Sequence, residues 1–136
     1  MSFKIVGILL LSLVLAATGG WLAGASSRTS LELERDRSDL RAQFVDARAL
    51  ILDGRVSLFL SNSGDAIERF QNARNRIGVV QRRLREMGQV EQAGRLEIAL
   101  SHLADAQHAT AMFDAARAQF SAEQALGALR AAGGGS

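Results

Sequence analysis

Apolar residues recur at a helical spacing along the middle of this 136-residue chain. Between residues 66 and 87 they alternate in steps of four and three along one helix face: Ala66, Phe70, Ala73, Ile77, Val80, Leu84 and Met87. The chain contains no proline, the residue that interrupts helices most strongly, and it is rich in alanine, which favours them most. The sequence therefore predicts an all-α fold.

Two further helices are predicted, one on each side of this middle helix. The earlier helix is expected to begin at the capping box Thr29–Glu32 and to carry an apolar seam at Leu40, Phe44, Ala47, Ile51 and Leu58. The polar stretch from residue 61 forms a loop that ends in Asp65 as the N-cap of the middle helix. Gly88 ends the middle helix as a C′ glycine.

The later helix is expected to run from shortly after Gly88 to about Ala131. Its apolar stripe consists of Leu96, Ala99, Leu103, Ala106, Thr110, Phe113 and Phe120. Alanines fall on nearly all of its sides, which would let more than one helix pack closely against it. They are Ala104, Ala106, Ala109, Ala111, Ala115, Ala116, Ala118, Ala122 and Ala125.

Short links make consecutive helices antiparallel. We therefore predict an N-terminal transmembrane or signal helix followed by an antiparallel helical hairpin or three-helix bundle over residues 42–131. A charged helical stalk over residues 26–41 precedes the bundle, and a flexible Gly/Ser tail over residues 132–136 follows it.

The first 25 residues are the most apolar part of the chain. An apolar run, Ile5–Ala17, follows the cation Lys4, and the segment is long enough to span a bilayer when it is counted to Ala25. Small residues just before the end of the segment suit a signal peptidase, which favours cleavage. Interfacial Trp21 and a narrow face of small residues favour an uncleaved anchor whose small face packs on a second helix. That face is Ser12, Ala16, Gly20 and Gly24.

The charges around this segment give conflicting indications of its orientation. Lys4 precedes the segment and four arginines follow it by residue 41, so the positive-inside rule alone favours a cytoplasmic C-terminal domain. The short charged n-region, and the acidic residues among the downstream arginines, favour export, which we prefer. Fifteen arginines against one lysine are typical of a GC-rich bacterial genome. We expect a single-pass protein of the bacterial inner membrane with a periplasmic C-terminal domain.

Residues 66–73, AIERFQNA, carry the pattern A-x3-F-x2-A. This pattern resembles the second helix of a tetratricopeptide repeat, and Gly54 falls where that repeat has the small residue of its first helix. The resemblance covers one degenerate repeat, about residues 47–80, and Leu50, Asp53 and Ser57 depart from the repeat's preferred residues. It implies a helical hairpin that binds another protein and performs no catalysis.

Gly54 itself has two interpretations. It forms a turn with Asp53, or it lies inside the first helix where a neighbouring backbone approaches closely. We prefer the second interpretation.

Residues that commonly perform catalysis or bind metals are scarce. The absence of cysteine excludes disulfides, thiol nucleophiles and Cys-ligated zinc. The best cluster is His102, Asp105 and His108, but its histidines lie about 120° apart around a helix, so one metal ion is hard to reach from both. No phosphate-binding glycine loop or dinucleotide fingerprint is present. We expect no catalytic residue, no cofactor and no metal.

Positive charge is concentrated on the middle helix, where six arginines against two glutamates give residues 66–87 a net charge of +4. The arginines are Arg69, Arg74, Arg76, Arg82, Arg83 and Arg85. They form either a solvated face that neighbouring carboxylates compensate, or a site for an acidic protein or anionic lipid head groups. Nucleic acid is not expected, because base-stacking aromatic residues are lacking there.

These features together predict a non-catalytic, membrane-tethered scaffold that binds protein partners within a membrane complex, further copies of itself included. Two alternatives stay open. The chain is a soluble periplasmic binding module released after Ala25, or it is a cytoplasm-facing anchor whose Arg-rich helix binds anionic lipid or an acidic partner.

Overall fold

The protein is described by a computed structural model that gives the backbone of residues 2–134 and the side chains of residues 30–134. Over the described backbone the chain is α-helical, with three short connections and no strand. The four helices are α1 (Ser2–Phe59), α2 (Ser63–Glu86), α3 (Val90–Ala111) and α4 (Ala115–Gly133). The chain divides into two compact units, one up to Ser38 and one from Asp39 onward. The prediction of an all-α fold is confirmed.

The predicted membrane segment, residues 1–25, lies outside the residues whose side chains are described, and so does its small-residue face of Ser12, Ala16, Gly20 and Gly24. Among the described residues, no helix has a stretch both long and apolar enough to cross a bilayer. The backbone is helical through Thr29, so the predicted helix start there is wrong. The N–H groups that a cap at Thr29 would have satisfied instead donate to carbonyls of the preceding helical turn. Leu40 is the first buried residue of the described part.

The three connections between helices share one geometry. One residue beyond each helix cap, the backbone turns to positive φ: 59° at Ser61, 75° at Gly88 and 58° at Phe113. The N–H of the next residue then donates to the carbonyl five positions earlier, over 2.8 to 2.9 Å. This is the Schellman motif, which satisfies carbonyls at the end of a helix and reverses the chain. The predicted role of Gly88 as a C′ glycine is confirmed.

The single helix predicted between Gly88 and Ala131 is wrong, because the chain turns at residues 112–114 and forms α3 and α4. Phe113 adopts the left-handed conformation, and the Asp114 carboxylate caps α4 by accepting the N–H of Arg117 at 3.0 Å. A left-handed conformation costs an ordinary L-residue roughly 1–2 kcal/mol, so an aromatic residue gives no sequence signal for this turn. Phe113 and Phe120, predicted to be part of the stripe, are both exposed.

The N-cap of α2 also differs from the prediction. Asn62 is the cap, and its side-chain oxygen accepts the N–H of Asp65 at 3.2 Å. Asp65 therefore lies in the first turn of α2, where its carboxylate accepts the hydroxyl hydrogen of Ser57 on α1 and pairs with Arg69 at 3.4 Å. The helix begins three residues earlier than expected, because the Asn62 side chain already supplies the acceptor that a cap at Asp65 would have provided.

Consecutive helices of the unit from Asp39 onward pack antiparallel, and α4 returns to α1. On α1, Arg55 donates to Gln119 of α4 at 2.9 Å, and the ring of Phe44 lies beside Gly133. The structure therefore has four bundled helices, one more than the predicted three. Side chains that connect the other neighbouring pairs are Ser57 with Asp65, Gln81 with Ala93, and Gln92 with Ala132.

The core follows the predicted seams closely. The middle-helix seam is buried except for Met87, which caps the end of α2 and is partly exposed. In the α1 seam Phe44 is half-buried and the other four residues are buried. The α3 positions as far as Thr110 are buried as well: Leu96, Ala99, Leu103, Ala106 and Thr110.

The seam of α4 was not predicted as a separate feature. It alternates in the same steps of four and three and consists almost entirely of alanine: Ala118, Ala122, Ala125, Leu129 and Ala132. Small side chains let helix axes approach more closely than leucines would. Ala132 is buried and Gly133 is helical, so the ordered bundle includes residues that the sequence predicted to be in the tail.

Gly54 lies inside α1, which excludes the turn interpretation. Its close neighbour is the ring of Phe70 rather than a backbone: a Cβ at position 54 would lie 2.6 Å from one ring carbon and 2.9 Å from another. Phe70 is fully buried, and the absence of a side chain at position 54 creates the space that the ring fills.

Candidate interaction surfaces

Four of the six predicted arginines of α2 bind groups of the bundle itself. Arg74 is half-buried and donates to Gln107 of α3 at 2.7 Å. Arg83 lies 3.9 Å from the carboxylate of Asp39, and Arg85 lies 3.7 Å from that of Glu97. Arg69 pairs with Asp65, as described above. Carboxylates of α1, α2 and α3 thus lie beside three of the six arginines, and a neutral amide of α3 accepts from a fourth.

The two remaining arginines, Arg76 and Arg82, are exposed. Neither forms an ion pair with any residue of the described part of the chain. The sequence placed Arg69, Arg76 and Arg83 on one stripe, and in the structure Arg76 is the member of that stripe with no carboxylate beside it. The free cationic surface of α2 is therefore small.

The histidine cluster lies on α3, where His102 is half-buried and Asp105 and His108 are exposed. Over the described residues, no group of three or more histidine and carboxylate side chains is placed to hold a metal ion. His108 lies in the last turn of α3, whose carbonyls attract positive charge.

A surface that the sequence did not reveal lies where α1 and α3 end. The α1–α2 and α3–α4 connections meet there and line a cleft of about 250 Å³, bounded by Leu58, Ser61, Ser63, Thr110, Phe113 and Ala115. Four large apolar side chains stand exposed on these two connections: Phe59, Leu60, Met112 and Phe113. We call these four residues the loop-end patch.

The exposure of the loop-end patch is unusually high for apolar residues. Phe59 and Phe113 are each 85% exposed. Two consecutive apolar residues stand at the end of each helix: Phe59-Leu60 at the end of α1 and Met112-Phe113 just beyond α3. The signal that could have revealed the patch is an apolar pair just before a polar capping residue: Asp114 follows Met112-Phe113 directly, and Asn62 follows Phe59-Leu60 after Ser61.

A second apolar surface runs along α1 on the side away from the bundle. Its members are Ala42, Val45, Ala49, Leu52, Val56 and Phe59, all exposed and spaced in alternating steps of three and four. We call these six residues the outer face of α1. The sequence contains this second seam as plainly as the first, but periodicity alone does not show which of two apolar faces meets the core.

Comparison of the chain with protein-family models, with curated proteins and with solved structures finds no match.

Proposed function

We propose that this chain is a single-pass, membrane-tethered helical interaction module of a bacterial inner membrane, with its bundle in the periplasm and no catalytic residue. Its N-terminal segment holds the bundle at the bilayer, and the loop-end patch binds a protein partner. The resemblance of residues 47–80 to a tetratricopeptide repeat points to the same class of function.

The observation that carries the proposal is the conformation and exposure of Phe113. In the left-handed region glycine is favoured over any aromatic residue, and at 85% exposure the ring adds almost nothing to the core. Phe113 therefore opposes the stability of its own turn. Residues that break a local rule without a gain within the fold are expected at functional sites, and a second apolar pair on the neighbouring connection enlarges the same surface.

Apolar rings of this kind are typical anchors of protein interfaces. Aromatic residues and methionine are enriched in interface cores and carry much of the binding energy. The loop-end patch offers two phenylalanines, a leucine and a methionine beside a shallow cleft. A partner that places an apolar side chain in this cleft would bury the patch without rearrangement of the bundle.

The test is site-specific photo-cross-linking of the intact chain in cells. A photoreactive residue at position 113 or 60 should yield the same cross-linked protein, whereas the exposed position Gln124 on α4 serves as the matched control and should not. The variant Phe113→Ser should abolish the product seen from position 60 while the helical content stays unchanged, because neither side chain lies in the core. Equal products from all three positions, or no protein product from the patch, would refute the proposal.

Tethering and orientation are tested separately. Intact-mass measurement should find residues 1–25 still attached, and the protein should resist alkaline extraction from membranes; loss of the segment favours the secreted alternative. A reporter fused after residue 134 should be active only in the periplasm. Reporter activity in the cytoplasm would instead favour the cytoplasm-facing anchor.

The non-catalytic part of the proposal is tested at the histidine cluster. A His102→Ala/His108→Ala variant should keep the cross-linking pattern of the unmodified chain and its metal content. A lost metal ion or a lost activity would refute this part of the proposal alone.

A further inference from the structure

We infer that two copies of this chain pair in parallel through the outer face of α1, as a short coiled coil beside the two bundles. The inference goes beyond the proposed function and depends only on residues 41–59. It holds whether or not the N-terminal segment enters a bilayer. It shares Phe59 with the loop-end patch and involves none of the patch's other three residues.

The outer face has the spacing of a coiled-coil seam. In heptad terms, Ala42, Ala49 and Val56 occupy a positions, and Val45, Leu52 and Phe59 occupy d positions. Val45 is 65% exposed, Leu52 40% and Val56 57%, so these side chains are available to a partner. Leu52 at d and Val56 at a are the residue types that favour two-stranded pairing, and the alanines at the other two a positions let the helices approach closely.

The outer face lies nearly opposite the side of α1 that meets the bundle. The buried residues Ala47, Ile51, Gly54 and Leu58 occupy the f and c positions of the same heptads. At 3.6 residues per turn, the centres of the two faces are separated by about 160° around the helix axis. A second helix can therefore pack on the outer face without displacing α2 or α4.

The charges that border the outer face identify the occupant. Arg41 and Arg48 occupy g positions, and Asp46 and Asp53 occupy e positions. In a parallel pair, a g residue faces the e residue five positions later on the other helix, so Arg41 meets Asp46 and Arg48 meets Asp53 of the second copy. An antiparallel pair would place arginine against arginine and aspartate against aspartate. The pattern thus complements itself in the parallel orientation only.

These four charged side chains lie on α1 without an ionic partner among the described residues of the bundle. None of them forms an ion pair within the described part of the chain, in contrast to Arg55 at the next g position, which α4 binds. A spacing of five residues cannot pair side chains on a single helix, where neighbours are three or four positions apart. The same spacing is the one that joins two parallel helices. A self-complementary surface of this kind is what a symmetric pair of identical chains requires.

The experiment uses the absence of cysteine from the chain. Single variants Ala42→Cys and Val56→Cys of the intact protein, mildly oxidised in detergent or in membranes, should each form a disulfide-linked dimer. Both are a positions, which face their own counterparts only in a parallel, in-register pair. The exposed residue Ser101 on α3 provides the matched control, and Ser101→Cys should give little dimer.

Charge reversal separates this interface from chance proximity. Arg48→Asp in the Val56→Cys background should weaken pairing about tenfold, because it turns two attractions per dimer into repulsions. Adding Asp53→Arg to the same chain should restore pairing, because the two charges then exchange places. Circular dichroism should show unchanged helicity in every variant, since both side chains lie outside the core.

Three outcomes overturn the inference. The first is equal dimer yield from Ser101→Cys, which indicates random collision. The second is a disulfide between Ala42→Cys and Val56→Cys chains when neither forms one alone, which indicates antiparallel pairing. The third is an unaltered yield after charge reversal, which places the contact elsewhere. All three leave the photo-cross-linking test of the loop-end patch unaffected.

Discussion

Gly54→Ala is expected to destabilise the bundle, although alanine is the better helix former. The added Cβ would lie 2.6, 2.9 and 3.1 Å from three ring carbons of Phe70. Carbon atoms pack best at about 3.5–4.0 Å, so the ring must retreat by several tenths of an ångström to about 1 Å. Phe70 is fully buried, and close packing of a protein core leaves little space for the ring to move.

Two opposing contributions determine the magnitude. Overpacking a close-packed core costs about 1–3 kcal/mol, whereas replacing glycine by alanine inside a helix contributes about 1 kcal/mol of stability. We therefore expect the free energy of unfolding to fall by roughly 1 kcal/mol, or about 4–8 °C in Tm for a bundle of this size. The matched control is Gly78→Ala, which lies inside α2 with no atom within 4 Å of the added Cβ. Gly78→Ala should stabilise the bundle by about 0.5–1 kcal/mol.

The assay is urea unfolding of the intact chain in mild detergent, followed by circular dichroism at 222 nm. Differences between variants are compared, so signal from the N-terminal segment cancels. A double-mutant cycle identifies the cause: in a Phe70→Leu background, where the ring is absent, Gly54→Ala should become as favourable as Gly78→Ala. If Gly54→Ala stabilises the unmodified chain as much as Gly78→Ala does, the packing argument is wrong.

Three further predictions concern the helix ends and the core, each checked by the same unfolding assay. Phe113→Gly should stabilise the bundle by about 1 kcal/mol, and Gly88→Ala should destabilise it by a similar amount, because both positions have positive φ, which favours glycine. A change of the free energy of unfolding in the same direction for both variants would contradict this. Asn62→Ala should lower the free energy of unfolding by about 1 kcal/mol by removing the N-cap of α2. Gln89→Asn should raise it by as much as about 1 kcal/mol, since Gln89 makes no side-chain cap bond at α3, and an unchanged value would contradict the capping argument. Gln81→Ala should cost about 1–2 kcal/mol by removing a buried bond to the Ala93 carbonyl and a partly buried bond to the Glu97 carboxylate. A neutral result would show that these bonds contribute nothing net.

The candidate surfaces were less predictable than the fold. Charge counting identified the arginines of α2, but the groups that bind three of them lie on other helices, and only Asp65, the partner of Arg69, is near in sequence. Only contacts between helices show that Arg76 and Arg82 are the two without such partners. The loop-end patch depends on two connections about fifty residues apart along the chain, which only the tertiary fold brings to one end of the bundle.

The helical class and most core positions were determined by the sequence alone, because a four-three spacing specifies one face of a helix wherever that helix lies. The seam from Ala66 to Leu84 needed no further information. The spacing of apolar residues gives no sign of a turn when the apolar pattern continues through it. The sequence therefore did not reveal the turn at Phe113, where only the backbone conformation changes. The spacing also does not show which of two apolar faces of one helix is buried. Only the packing of α2 and α4 against Gly54 and its neighbours decides that Ile51 is buried and Leu52 is left exposed.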